Sequence, residues 1–246
     1  MEFHVLPMRT GGAAENMALD FLLLQRYPVA AIRFRHYRWY RPAFTFGFGQ
    51  KSAWVREHLP PGEQFDLCRR PTGGGIVDHR EDWTYTLVIP REHTWWEERA
   101  TVSYRVVHEC LAQALCELGA DAIVKKQPEG ASTADAGGRD ATAFTMPEPG
   151  ICFQRAELYD VVNGRTGEKI AGAAQKRNKH GLLFQGSIWK PAAGPCDWQA
   201  FGARFAVALA EAAGMPALPV PWPDLNEDEV SGLTEQYASA EWIDYR

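Results

Sequence analysis

The chain begins with a helical pattern that gives way to strand patterns. Apolar residues in 12–27 recur at helical spacing and place Met17, Phe21 and Leu24 on one face. Residues 31–48 then alternate aromatic and basic positions, AIRFRHYRW followed by AFTFGFG, and the Arg41-Pro42 step separates the two runs. The pattern therefore predicts one amphipathic helix followed by two strands paired with each other.

Later segments repeat this grouping of strands and helices. Residues 101–119 form the clearest helical pattern, which ends at a glycine. Beyond residue 151, three strand-like runs separated by turns at Asn163-Gly164 and at 179–181 predict a three-stranded meander. Because strand runs and helix runs are grouped, we expect an α+β fold. It would be a single domain over residues 1–246, with a largely antiparallel or mixed sheet and packed helices.

Composition narrows the class of protein. The chain has 246 residues, 46% of them hydrophobic, and a formal net charge of −5, which argues against nucleic acid as the main partner. No apolar run approaches the ~18–20 residues of a membrane span, and no signal peptide is evident. The five cysteines lack metal-ligand spacing. We expect a cytoplasmic protein without a metal, a membrane or a nucleic-acid partner.

The segment 69–79, RRPTGGGIVDH, is the first candidate for chemistry. Consecutive glycines let backbone N–H groups approach a ligand, and the arginines add charge-assisted donors for a carboxylate or phosphate. The alternative is a strand turn that needs positive φ, with a structural histidine closing it. The substrate-binding candidates in this segment are Arg70, Thr72, Gly73, Gly74, Gly75, Ile76, Val77 and His79.

Cys152 and Lys169 form the second candidate. A nucleophilic cysteine acts as its thiolate, which a nearby ammonium favours, and the Asn163-Gly164 turn folds Lys169 back towards Cys152. The alternative is that Cys152 is a small buried residue and Lys169 is solvated. Cys68, which precedes two arginines, is the strongest rival nucleophile.

Two segments carry a family resemblance. RRPTGGGIVDH and residues 167–177, GEKIAGAAQKR, together resemble the biotin/lipoate protein ligase superfamily, as do the opening AAENMALD and the strand GLLFQGSI. Cys152-Phe153 resembles the acyl-carrying site of cysteine-dependent octanoyltransferases, which are grouped with lipoate-protein ligase A. Three positions depart from the pattern: Gly75 is closer to the ligases, Ala173 stands where serine is common, and Gln185 stands where the family pattern would place histidine.

The resemblance implies a class II biotin/lipoyl ligase-like catalytic domain without an accessory C-terminal domain. It implies an octanoyl-[acyl-carrier-protein]:protein N-octanoyltransferase, in which Cys152 carries the acyl group and Lys169 assists. The donor would be octanoyl-acyl carrier protein. The acceptor would be a lysine of a 2-oxoacid dehydrogenase E2 lipoyl domain or of the glycine-cleavage H protein, and no cofactor would be required.

The same resemblance assigns the acyl tunnel and leaves two alternatives. The tunnel would be walled by the backbone of residues 73–77 and by Gly172, Ala173 and Ala174, with Gly186 as a further substrate-binding candidate. Arg70 and His79 would hold the polar end. One alternative is an ATP-dependent lipoate-protein ligase that uses Mg-ATP to form a lipoyl-adenylate. The other is a non-catalytic homologue that binds a carrier domain.

Overall fold

A mixed β-sheet forms the centre of the computed structural model, which describes residues 1–126 and 155–245. The strands of the chain are β1 (Phe3–Val5), β2 (Arg9–Gly11), β3 (Ile32–Trp39), β4 (Ala43–Phe46), β5 (Asp66–Arg69), β6 (Ile76–Asp78), β7 (Asp82–Pro90), β8 (Ala122–Val124), β9 (Val161–Asn163), β10 (Lys169–Asn178), β11 (Gly181–Trp189) and β12 (Ala217–Pro219). The helices are α1 (Ala13–Gln25), α2 (Ser52–Glu57), α3 (Thr94–Glu97), α4 (Ala100–Glu117), α5 (Lys190–Ala193), α6 (Trp198–Ala212), α7 (Glu227–Ala238) and α8 (Ala240–Ile243).

The main sheet has the order β12-β1-β3-β7-β11-β10-β9-β8, with β2 pairing the end of β3. Its first three strands run parallel, and from β3 onwards each neighbouring pair is antiparallel. The predicted α+β class, the mixed sheet and the β9-β10-β11 meander are therefore confirmed. The register between β9 and β10 shifts between Lys169 and Ala171, so the start of β10 is irregular.

The predicted pairing of the two strands in residues 31–48 is wrong. The first, β3, lies in the main sheet with β1 and β7 on its two sides, so it has no free edge for its successor. The second, β4, is the middle strand of a separate three-stranded sheet, β5-β4-β6. The break at Arg41-Pro42 thus carries the chain from one sheet to the other. The glycine-rich segment connects β5 to β6, so it belongs to the smaller sheet.

Helices cover both faces of the main sheet. On one face, α4 and α6 pack against aromatic side chains in a large core that includes Phe34, Trp83, Tyr85, Phe201 and Phe205. On the other face lies α1, which packs on α7 through an edge-to-face contact of Phe21 with Tyr237. In the described part of the chain, no helix is long and apolar enough to cross a membrane.

Candidate active site

A narrow cleft lies on the α1 face of the main sheet. The main sheet supplies most of the wall, the smaller sheet and its glycine loop supply the opposite side, and α1 supplies Met17. The lining residues are Met17, Tyr37, Trp39, Thr45, Arg70, Gly74, Val77, His79, Thr84, Lys169, Gly172, Ala173, Ala174, Gln185, Gly186 and Ser187.

The cleft brings together nine of the fourteen residues named as site candidates. They come from three separate parts of the sequence and are Arg70, Gly74, Val77, His79, Lys169, Gly172, Ala173, Ala174 and Gly186. Four others, Thr72, Gly73, Gly75 and Ile76, lie beside it without lining it. Ile76 points instead into the apolar core of the smaller sheet, because side chains alternate along β6. Cys152 lies outside the described residues.

The two adjacent arginines have different surroundings. Arg69 is fully buried, and its guanidinium donates to the carbonyl oxygens of Phe48 and Gln50 at 2.7 Å and of Ile243 at 2.7 Å. It therefore fixes the C-terminal helix α8 to the smaller sheet. Arg70 donates to Thr45 Oγ1 at 2.9 Å and to the carbonyl oxygens of Gly73 and Gly75 at 2.8 and 3.0 Å. Arg70 thus holds the glycine loop in shape at the edge of the cleft.

His79 lies in a hydrogen-bonded chain with Thr45 and Asp82. Its Nε2 is 2.7 Å from Thr45 Oγ1, its Nδ1 is 2.7 Å from Asp82 Oδ2, and its ring stacks on Trp39 at 4.2 Å. Because the Asp82 carboxylate can only accept, His79 Nδ1 carries a proton and donates it to Asp82 Oδ2.

Asp82 is the buried end of that chain. Burial works to raise the pKa of its carboxyl, but the neighbouring His79 and hydrogen bonds from His79, Ser187 and Thr84 outweigh burial and lower the pKa. The carboxylate is therefore ionised at neutral pH and orients His79 towards the cleft.

Lys169 is held by a buried carboxylate at the start of β10. Its side chain is 8% exposed, and Nζ lies 2.7 Å from Asp160 Oδ2, which also accepts the Glu157 backbone N–H at 2.7 Å. Asp160 Oδ1 accepts the Tyr104 hydroxyl, which in turn accepts the backbone N–H of Ala173 at 3.0 Å. Each oxygen of Asp160 is thus partnered, as a buried charge requires. The ammonium is fixed in position against the cleft wall.

A strained residue next to Asp160 is part of the same arrangement. Tyr159 has a φ of +68°, which is unusual for a side chain other than glycine. Its carbonyl oxygen lies 2.6 Å from His108 Nδ1. Burial lowers the pKa of His108 to about 4, so the ring is neutral and donates to that carbonyl. His108 on α4 therefore supports the backbone that presents Asp160.

Thr72 acts on the cleft indirectly. Its hydroxyl donates to Gln185 Oε1 at 2.7 Å, and Gln185 Nε2 donates to Asp20 Oδ2 at 2.6 Å. Asp20 forms a fully buried ion pair with Arg35 at 2.7 Å. This network joins the glycine loop, β11, α1 and β3 beneath the cleft.

Sequence reasoning missed the carboxylates that organise the site: Asp20, Asp82 and Asp160. A charged residue inside or beside an apolar run was the available signal, because such residues are rarely buried unless paired. Asp20 interrupts MALDFLLL, Asp82 precedes WTYTLVIP, and Asp160 precedes a Val-Val pair. Their partners lie far away in sequence and could not be read from the same pattern.

The rival nucleophile has an unfavourable environment. Cys68 is 1% exposed, and burial raises the pKa of its thiol to about 12, against the opposing effect of Arg70. Burial also raises the pKa of Cys110 to about 11. Both thiols are therefore protonated at neutral pH, and neither lines the cleft.

Comparison with known proteins gives a consistent family. A family model described as the lipoyl protein ligase A/B catalytic domain matches residues 12–189. Octanoyltransferase LipM of Halalkalibacterium halodurans is 33% identical over 181 residues, covering 71% of this chain and 61% of that protein. Octanoyltransferase LipM of Kyrpidia tusciae is 32% identical over 181 residues, covering 72% of this chain and 62% of that protein. The chain thus spans less than two thirds of the length of these relatives.

Solved structures with the same fold are more distant in sequence. A lipoate-protein ligase A bound with ATP superposes with a TM-score of 0.73 at 16% identity, covering 99% of both chains. The bi-partite lipoate protein ligase of Thermoplasma acidophilum, described with its E2 lipoyl domain, gives 0.71 at 17% identity, covering 100% of this chain and 98% of that one. At this level of identity the likeness concerns the fold.

Proposed function

The chain belongs to the lipoyl protein ligase A/B catalytic domain family, and we propose that it is an octanoyl-[acyl-carrier-protein]:protein N-octanoyltransferase. The observation that carries the proposal is the buried Lys169 ammonium, which Asp160 fixes at the wall of the cleft next to the glycine and alanine residues of β10. The relatives named octanoyltransferase support the same reaction.

In the first step, the Cys152 thiolate attacks the carbonyl carbon of the octanoyl thioester. A new carbon–sulfur bond forms and the bond to the donor's sulfur breaks. The donor leaves as a thiol after taking the proton that the Cys152 thiol released when it became the thiolate. Lys169 favours the Cys152 thiolate through its positive charge. The proximity of these two groups is part of the proposal, because Cys152 lies outside the described residues.

In the second step, a neutral lysine amine of the acceptor attacks the acyl-enzyme. An amide bond forms, the bond to Cys152 sulfur breaks, and the proton lost by the amine passes to the departing thiolate. The octanoyl chain would lie along the backbone of Gly172 and Gly186 and past the methyl group of Ala174. Arg70 and His79 would hold the carbonyl end.

The proposed donor is octanoyl-acyl carrier protein, and the proposed acceptor is an E2 lipoyl domain or the glycine-cleavage H protein. The neighbouring ligase described with its E2 lipoyl domain supports an acceptor of that kind. We propose that the transfer requires no ATP, because the acyl group arrives already activated as a thioester.

The test compares two acyl sources. The full chain is incubated with an apo lipoyl domain and either octanoyl-acyl carrier protein, or octanoate with Mg-ATP, and the intact masses of enzyme and acceptor are measured. We expect an octanoyl mass shift on both proteins from the carrier protein alone. Cys152→Ala should abolish the shift on the enzyme, whereas Cys68→Ala should retain it.

Other outcomes identify the alternatives. Modification of the acceptor only with octanoate and Mg-ATP would replace the transferase with a lipoate-protein ligase. Binding of the lipoyl domain with no modification under either condition would indicate a non-catalytic homologue. Full transfer by Cys152→Ala would end the covalent mechanism.

A further inference from the structure

A second groove lies beyond Trp39 and His79, at the ends of β3 and β7. We call it the strand-end groove. Aromatic side chains form much of it: Trp83 stacks on His36 at 4.1 Å, and Trp198 of α6 lies opposite. Four cationic side chains complete the lining: Arg38, Arg41, Arg80 and Lys190. None of these four residues lines the cleft, and nothing proposed above uses them.

Two of the four cations have carboxylate partners, whereas the Lys190 ammonium lies over the Trp198 ring, 5.9 Å from its centroid. Arg41 pairs with Asp66 at 3.5 Å, and Arg80 pairs with Asp78 at 2.7 Å. Within residues 1–126 and 155–245, Arg38 and Lys190 form no ion pair. The chain as a whole carries a net charge of −5, so an uncompensated positive pair is a local feature of this groove.

The groove has little negative charge of its own. Among its described lining residues the only carboxylate is Asp82, which is buried and already accepts hydrogen bonds from Thr84 and Ser187. Burial, and then the charges of Arg38 and Lys190, lower the pKa of His36 to about 4. His36 is therefore neutral, and the groove presents to an incoming anion two cations that no described carboxylate pairs with.

Sheet topology places this groove at the same end of the main sheet as Lys169. Strand β3 ends at Trp39, β7 begins at Asp82, which pairs with Trp189 at the end of β11, and β10 begins at Lys169. Neighbouring strands are ~4.8 Å apart, so the three steps from β3 to β10 span about 14 Å. Tyr37, Trp39 and His79 line both the groove and the cleft.

We propose that the strand-end groove binds the phosphate end of the donor's prosthetic arm, with Arg38 and Lys190 as its cationic contacts. The inference rests on the proposed function, because it concerns an acyl group delivered as a phosphopantetheine thioester. That arm carries a phosphodiester at one end and the thioester at the other, joined by a flexible chain. An arm anchored at the groove can pass Trp39 and His79 and place its thioester near Lys169.

The choice of anion follows from the chemistry of the groove. A phosphodiester keeps its negative charge at neutral pH and accepts charge-assisted hydrogen bonds from arginine and lysine. The partly exposed rings of Trp39 and Trp198 suit the carbon chain and amide groups that follow the phosphate.

The experiment compares three octanoyl thioesters: octanoyl-pantetheine, which lacks the phosphate, octanoyl-4′-phosphopantetheine, and octanoyl-acyl carrier protein. Arg38→Gln, Lys190→Gln and the double variant are compared with Arg204→Gln. Arg204 is an exposed α6 cation that pairs with Glu117 away from the groove. The rate of enzyme acylation is measured by intact mass over a range of donor concentrations. Thermal unfolding checks that each variant is folded.

For the double variant we expect kcat/KM to fall about 10-fold or more with both phosphate-bearing donors, mainly through KM, since each contact is charge-assisted. Octanoyl-pantetheine should react as with the wild type, and Arg204→Gln should match the wild type with every donor.

An equal fall in kcat/KM with all three donors, or no fall with octanoyl-4′-phosphopantetheine, overturns the proposal. A fall confined to the carrier protein also overturns it, because the cations would then contact the carrier's surface. If the wild-type enzyme accepts none of the three thioesters, the proposed function itself fails and the groove assignment fails with it.

Discussion

Replacing Gly172 with alanine tests whether the position of Lys169 matters. A Cβ on Gly172 would lie 2.7 Å from Lys169 Cε, 2.8 Å from Nζ and 3.3 Å from Asp160 Oδ1. The backbone of Gly172 is outside the left-handed region, so alanine can adopt it. The added methyl group therefore acts only on the end of the lysine side chain and on its ion pair.

The size of the effect follows from these distances. Non-bonded atoms prefer separations of ~3.5 Å, so the ammonium must retreat by about 0.7 Å or leave Asp160. Displacements of ~1 Å in a catalytic group cost on the order of 10²-fold in rate. We expect enzyme acylation to slow about 10- to 100-fold. The free energy of unfolding should change by less than about 1 kcal/mol. The end of the lysine side chain is flexible and can move away from the methyl group. Alanine also lowers the conformational entropy of the unfolded chain, which stabilises the folded protein by ~0.4–1 kcal/mol.

Gly186→Ala is the matched comparison, one strand away. A Cβ there would lie 2.1 Å from Cζ of Tyr85, a fully buried and tightly packed ring. Because that ring cannot retreat, we expect a loss of about 3 kcal/mol in the free energy of unfolding, at the upper end for overpacking.

Single-turnover acylation by octanoyl-acyl carrier protein, followed by intact mass, gives the rates, and urea unfolding gives the stabilities. Wild-type acylation by Gly172→Ala would refute the role of the lysine position. An equal loss of stability in both variants would refute the claim that only the lysine gives way.

Three further predictions concern other parts of the chain. Gly232→Ala, inside α7 with no atom within 4 Å of the added methyl group, should raise the free energy of unfolding by ~0.5–1 kcal/mol in urea titrations, and an unchanged or lower value would contradict this. Burial lowers the pKa of His108 from the usual 6.5 to about 4. The unfolded chain therefore binds more protons in this window, and stability should fall as pH drops from 6.5 towards 4, by up to ~3 kcal/mol for this residue. Urea midpoints that stay constant between pH 7 and pH 5 would contradict this, and His108→Gln should flatten the slope. In the native protein at pH 8, iodoacetamide should modify the exposed Cys116 and spare Cys68, whose thiol pKa is raised to about 12, as peptide mass mapping would show.

Much of the fold was predictable because it depends on local pattern. The meander follows from turn residues between strand-like runs, and the helices follow from apolar periodicity. Partners in the sheet were harder to assign, as β3 and β4 illustrate: both have strand character, but pairing depends on which edges other strands already occupy. For β3 those strands are β1, far earlier in the chain, and β7, far later. The local sequence therefore does not show which strands pair with the edges of β3.

The candidate site could likewise be predicted only in part. The glycine loop and Lys169 were recognisable as motifs, and both reach the cleft. Arg69 and Arg70 were indistinguishable in sequence, yet strand alternation turns one towards α8 and the other towards the loop. Which of the two faces the cleft depends on where the C-terminal helix packs, more than 170 residues away. The Tyr104–Asp160 contact joins residues 56 positions apart, and the local sequence pattern gives no sign of it.

The composition of the cleft also explains how polar residues can form an apolar site. Ser187 of β11 pairs with Thr84 of β7, and Gln185 lies two residues before Ser187 on the same face of β11. Both hydroxyls donate to Asp82, and the Gln185 amide is engaged by Asp20 and by Thr72. Their hydrogen-bonding capacity is thus satisfied beneath the surface, so covering them with a hydrocarbon leaves no donor without a partner. An acyl chain laid over these strands meets methyl and methylene groups and incurs little of the usual cost of desolvating polar atoms. The buried carboxylates that the sequence did not reveal are therefore what would make a wall of serine, threonine and glutamine suitable for the proposed fatty acyl group.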